Sequence, residues 1–253
     1  MNMKTGKRTD KILQILIVAV ILITLFFAGG MVRELYIRSQ SQTYYQEVSG
    51  QAEAVIAEAA DEQGQIPEGE TDWSPIWESV ENSVAWIRCS GTNINFPVVQ
   101  GSDNDYYLTH LPNGTVNKAG SIFMDYLNNS DFTDDNTIIY GHNMRSGDMF
   151  APLGNYKQQT YYEEHPVIEL QTPQGGYEIQ LFAGYIMEDA KEELTINFES
   201  SREFTQYLAQ IRERSTFDAD VAIAWGDRLV TLCTCTYELD NSRYILVGKL
   251  TEL

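Results

Sequence analysis

The chain has 253 residues, enough for one substantial domain with an appendage or for two small ones. Its hydrophobic share of 43% is that of an ordinary globular protein and excludes wholesale disorder. The formal net charge of −19 is unevenly placed: residues 1–40 carry Lys4, Lys7, Arg8, Lys11, Arg33 and Arg38 against Asp10 and Glu34, so the acidic excess lies beyond them. A surface that acidic repels phosphate backbones, which argues against nucleic acid as a partner and reads mainly as a solvated, solubilising face.

Ile12 to Val32 form an apolar run in which only Gln14 and Thr24 are polar. As a helix it spans roughly 30 Å, the hydrocarbon thickness of a bilayer. Lys4, Lys7, Arg8 and Lys11 precede it, so the positive-inside rule predicts a cytoplasmic tail over 1–11, a single transmembrane helix over 12–32 and export of the remainder. A cleaved signal peptide, with Ala28-Gly29-Gly30 near the cut, is the competing reading, but the run is longer than a usual signal core. Both put everything after about residue 33 outside the cell.

Residues 41–61 read as a helix, with Tyr44, Val48, Ala52, Val55 and Ala59 in one apolar stripe that suits a stalk or packing appendage. Asp61 to Thr71 is polar, with two glycines and a proline, and reads as a linker, so 33–72 is expected to be an extracellular helical stalk and linker. A short helix is predicted from about Trp73-Ser74-Pro75, with the proline in the first turn.

From Ser83 onward short β-type runs dominate. Strands are predicted over 84–89, 96–100, 120–126, 136–141, 167–172, 177–187, 220–225, 228–235 and 243–250, with helical interruptions over 104–111, 149–156 and 201–215. Evenly spaced strands with few crossover helices favour a mostly β domain over 73–253, built as a closed antiparallel-rich β-barrel with several short helices.

Cys89, Cys233 and Cys235 are too few, and odd in number, for a disulfide scaffold. Some thiol is therefore free in an oxidising compartment, and catalysis is one reason for that. Cys233 and Cys235, two apart on a predicted strand, share a face, and residue type alone leaves either as the nucleophile. Their C-x-C spacing lacks a redox signature or a second ligand pair for zinc, so neither a metal site nor a cofactor is expected. Cys89, in an alternating strand, reads as a small buried hydrophobe.

A thiol needs a base or a cation to react at neutral pH. Of His110, His142 and His165, His142 stands at a strand-to-loop junction from which it can project into a cleft. His110 lies in a predicted helix, and His165 in a polar strand lead-in. The turn-rich segment TYELDNS leads into RYILVGKL, so a hairpin centred on Leu239 pairs Cys235 with Arg243 on one face. A permanent cation there stabilises a thiolate or donates hydrogen bonds to an oxyanion.

At these residues the sequence resembles the sortase family, most closely its class B. TLCTC (231–235) matches the motif ending in the nucleophilic cysteine, YGHNM (140–144) the segment with the catalytic histidine, and Arg243 the essential arginine of the next strand. WI (86–87), FPVVQ (96–100), DNDYYL (103–108), GSIFMD (120–125) and MFAPL (149–153) extend the likeness over roughly 73–253 in order. Cys233 stands where class B members usually carry serine, and Thr236 where many carry an acidic residue.

The resemblance implies a sortase-like barrel with a membrane anchor, and catalysis by Cys235, His142 and Arg243. It implies Asn104, Leu108, Ser121 and Thr234 near the substrate. The implied reaction cuts a Pro-x-Thr-type C-terminal sorting signal of exported surface proteins after Thr through a thioacyl-enzyme. The acyl group then passes to an amine of the cell-wall peptide precursor or, alternatively, to a pilin lysine. Two rivals are a hydrolytic cysteine peptidase, for which no papain-like signature stands around any cysteine, and an inactive extracellular binding domain.

Overall fold

In a computed structural model, residues 4–59, 71–188, 193–235 and 242–253 are described, the side chains of 4–12 excepted. The chain divides into two compact units, residues 1–43 and 44–253. Helix α1 (Lys4–Ala59) runs without a break through both the apolar stretch and the predicted stalk. Its apolar window, of mean hydropathy 2.9, has none of its surface buried and is long and apolar enough to cross a membrane. Most of the predicted linker lies outside the described residues.

The second unit is a closed barrel of β1 (Ser83–Arg88), β2 (Asn95–Gln100), β3 (Ile122–Met124), β4 (Asn136–Tyr140), β5 (Val167–Thr172), β6 (Gly175–Met187), β7 (Leu229–Cys235) and β8 (Arg243–Glu252). The order around it is β1-β2-β3-β4-β7-β8-β6-β5, closed by β5 on β1. All neighbours are antiparallel except β2/β3 and β4/β7. Alternation along the strands sends Ile87, Val98, Ile139, Val230, Leu232 and Leu246 into one interior cluster.

Two further clusters cover the outside of the barrel. Helix α4 (Ser201–Glu213), capped by Ser200 Oγ accepting from Glu203 N at 3.3 Å, lays Phe204 and Ile211 over Phe182, Leu229, Cys233 and Ile245. Helix α2 (Ser74–Ser79) and the end of α1 put Ile76, Val48 and Ala52 against Trp86, Tyr107 and Phe123. Of the predicted stripe Val48 and Ala52 are buried and Tyr44, Val55 and Ala59 only half-buried, while Tyr45, which the stripe left out, is buried.

Five elements differ from the sequence reading. Residues 220–225 form no strand but an extended strap. Val221 and Ile223 alternate because they pack on the α4 cluster, while the carbonyls of Val221 and Ala222 accept from Arg212 Nη2 (2.7 Å) and Lys249 Nζ (3.4 Å) instead of a strand. The 120–126 strand shrinks to Ile122–Met124; before it Gly120 is held at φ +59° and the Ser121 N–H donates to Tyr107 O rather than to a strand. The predicted helices at 104–111 and 149–156 are 3₁₀ turns over Tyr106–Leu108 and Ala151–Lys157. Residues expected to lead into a strand form α3 (Gln159–Glu164), ending at His165.

Candidate active site

Strand β7 runs between β4 and β8, so its end meets the end of one neighbour and the start of the other. The antiparallel register sets Cys235 opposite Arg243, the pairing the hairpin reading required. Thr236 and Leu239 of the connecting loop lie outside the described residues. The parallel register sets Tyr140 beside Cys233, and Gly141 N donates to Cys233 O at 3.1 Å. His142 thus leaves the barrel at the mouth where Cys235 ends β7.

The exit from β4 is narrow. A Cβ at Gly141 would stand 2.7 Å from the Phe150 ring, so the backbone passes where no larger residue fits. Beyond it the loop folds back: Phe150 N donates to His142 O at 2.9 Å, and Asn143 bridges to Met149. Asn143 Nδ2 donates to Cys235 O at 2.8 Å, tying the histidine loop to the cysteine strand. His142 Nε2 lies 2.7 Å from Leu108 O. A carbonyl only accepts, so Nε2 carries the proton and Nδ1 is the nitrogen free to exchange one.

The two thiols on this face differ in cover. Cys233 is 2% exposed under the α4 cluster, whereas Cys235, one pleat further, is exposed. Burial pushes the Cys233 thiol up to about 12, although the charge of the Arg243 guanidinium pulls the other way. The burying neighbours are Ile245 and Phe182 on the outer face, while Val230 and Leu232 point into the barrel. Cys89 is a buried thiol 3.6 Å from Tyr156 OH.

Arg243 is half-buried, with its guanidinium carbon 5.8 Å from the centroid of the Tyr140 ring. Tyr140 OH donates to Asp125 Oδ2 at 2.9 Å, and burial beside that carboxylate raises the phenol far above its ordinary value. Asn104 Nδ2 donates to the same oxygen at 2.8 Å, while its Oδ1 accepts from Tyr126 N at 3.1 Å. Asp125 is therefore a hub between the 104–108 loop and the arginine side of the site. Sequence reasoning assigned no role to Tyr140, Asn143 or Asp125; a carboxylate closing the apolar run GSIFMD was the available signal for the last.

The predicted substrate residues divide into two kinds. Leu108 is 37% exposed beside His142, and Asn104 is partly open. Ser121 and Thr234 are buried, with Ser121 Oγ donating to His110 O and Thr234 Oγ1 to Gly141 O, at 2.8 and 2.7 Å. His110 stacks on Tyr106 at 4.0 Å, and His165 lies against Tyr161 at 4.6 Å, both apart from the cysteine strand.

An exposed thiol at a barrel mouth, a cation in register with it and an anchored imidazole on the adjoining loop suit acyl transfer through a cysteine. Comparison with known proteins agrees. The sortase domain family model matches residues 87–251. Sortase B of Listeria monocytogenes is 33% identical over 234 residues, covering 91% of this chain and 94% of that protein. The Staphylococcus aureus sortase B–substrate complex superposes with a TM-score of 0.75 at 30% identity, over 85% of this chain and 98% of that one. A structure of sortase B complexed with triglycine gives a TM-score of 0.75 at 28% identity, over 85% and 99%.

The chain belongs to the sortase family, within class B, and is a sortase-type cysteine transpeptidase.

Proposed function

We propose that this enzyme anchors exported proteins to the cell wall, cutting a Pro-x-Thr-type C-terminal sorting signal and passing the new carboxyl end to an amine of the wall precursor. The observation that carries the reading is the pairing of Cys235 with Arg243 at the mouth where the pinned His142 loop begins. Two solved relatives support it: one holds a substrate and one holds triglycine, a peptide whose amine has the chemistry of an acceptor. The triglycine complex favours a wall-peptide amine over a pilin lysine.

In the proposed cycle the Cys235 thiolate attacks the carbonyl carbon of the signal threonine. Arg243 donates hydrogen bonds to the oxygen as it takes negative charge, at the point where it matters most for the barrier. His142, which holds the proton given up by the Cys235 thiol on Nδ1, passes it to the departing amine, the carbon–nitrogen bond breaks and a thioester remains. The acceptor amine then attacks that thioester, His142 takes the amine's proton, and the thiolate leaves as the new amide forms. Asn104 and Leu108 meet the signal at the groove, while Ser121 and Thr234 hold its backbone from beneath. The basic residues before the apolar run support a cytoplasmic tail, a span over 12–32 and an outward-facing catalytic domain.

The test incubates the full chain with a Pro-x-Thr signal peptide, with and without triglycine. Anchoring-type transfer yields a product heavier by triglycine and a Cys235-linked acyl intermediate. Hydrolysed product alone, unaffected by the amine, would return the enzyme to peptidase chemistry.

A further inference from the structure

The end of α1 reaches the catalytic histidine through a short chain of backbone contacts. Tyr45 is 8% exposed, with its ring edge-on to Phe96 at 5.1 Å. Its hydroxyl donates to Gly120 O at 2.7 Å, across 75 residues of sequence. Burial raises that phenol far above its ordinary value, so it stays neutral and remains a donor.

Gly120 is held at φ +59°, and a Cβ there would stand 2.6 Å from Tyr107 O and 2.8 Å from Leu108 O. Its backbone therefore lies directly against the carbonyls of the 106–108 turn, and the next residue, Ser121, donates its N–H to Tyr107 O at 2.9 Å. Leu108 O is the acceptor of His142 Nε2, at 2.7 Å. Val48 and Ala52, one and two turns beyond Tyr45, pack in the cluster that holds the Tyr107 ring, so the helix grips this loop at two points.

We propose that Tyr45 is a positioning residue for His142: through the Gly120 carbonyl it sets the loop whose Leu108 carbonyl fixes the imidazole's orientation and tautomer. The stalk segment of α1 is then part of the catalytic scaffold as well as a tether. This rests on His142 being the acid–base group.

The experiment compares full-length wild type with Tyr45→Phe, which keeps the ring and deletes only the hydroxyl, and with Tyr44→Phe as the neighbouring control. Turnover of the signal peptide with triglycine is read beside the ¹⁵N spectrum of the His142 ring, which distinguishes Nε2–H from Nδ1–H and reports only folded molecules. Expected for Tyr45→Phe are a kcat lower by about tenfold, as small misplacements of a catalytic group cost, a KM within about twofold, and a His142 signal mixed between tautomers. Tyr44→Phe should match wild type in both. An unchanged His142 spectrum, or a kcat loss that only follows the folded fraction, overturns the proposal. His142→Ala separates the two readings: activity surviving that change defeats the acid–base assignment itself, whatever Tyr45→Phe does.

Discussion

Arg243 faces Cys235 across the β7–β8 ladder, and its guanidinium also lies over the Tyr140 ring, where its charge opposes the rise of the Cys233 thiol. The Tyr140 ring thus supports the planar fork from one side at the mouth of the site. Arg243→Lys keeps the charge but loses that fork. We expect kcat to fall by about 10²-fold or more, the scale of losing an oxyanion donor, with a smaller change in KM. Steady-state turnover of the signal peptide measures both, and near-normal kcat would reduce Arg243 to a strand-end charge.

Cover separates the two thiols on the shared face. Cys235→Ala should abolish both the acyl intermediate and alkylation of the folded protein, while Cys233→Ser should retain substantial turnover. Mass spectrometry of tryptic fragments after brief alkylation reads this directly. An acyl group or label persisting in Cys235→Ala would transfer the nucleophile to Cys233.

The raised Cys233 thiol also makes stability depend on pH. Below an ordinary thiol value of about 8.5 both folded and unfolded chains keep the proton, and its contribution is fully present. As pH rises the unfolded chain loses its proton first, so stability falls until the folded thiol ionises at about 12. Urea midpoints measured in the Cys235→Ala background from pH 8 to 9.5 should decline. Adding Cys233→Ser should make that decline shallower, although Cys89, also raised chiefly by burial, leaves a remainder. Parallel slopes would mean the thiol is not protected.

Thr234 is a strut within the site. Thr234→Val preserves shape but leaves the buried Gly141 carbonyl without its 2.7 Å donor. The expected cost is about 1–3 kcal/mol of stability. Because Gly141 precedes His142, turnover should fall as well. Chemical denaturation and kinetics on one preparation check both, and a variant of unchanged midpoint would show that the carbonyl finds another donor.

The topology is open to a simple experiment. Protease added to intact, wall-stripped cells should remove the region after residue 40 and spare the basic tail. Complete protection of that region would reverse the orientation.

Much of the site was legible because its determinants are local. A strand's period of two put both cysteines on one face, and a turn-rich loop centred on Leu239 set Arg243 opposite Cys235 without knowledge of the rest of the barrel. The apolar run and its basic flank likewise state their own chemistry. Tertiary structure decided what depends on distant cover. Residue type and strand face leave Cys233 and Cys235 alike, and it is the α4 cluster, which reaches the first and stops short of the second, that buries one of them. The alternation at 220–225 looked like a strand because packing on an apolar surface imposes the same period as a sheet, while the side-chain partners of its carbonyls lie elsewhere in the chain. Helical spacing marked the end of α1 as buried on one side, but it could not say that Tyr45 would meet the Gly120 carbonyl, since a hydrogen bond across 75 residues exists only once the barrel has brought the loop there.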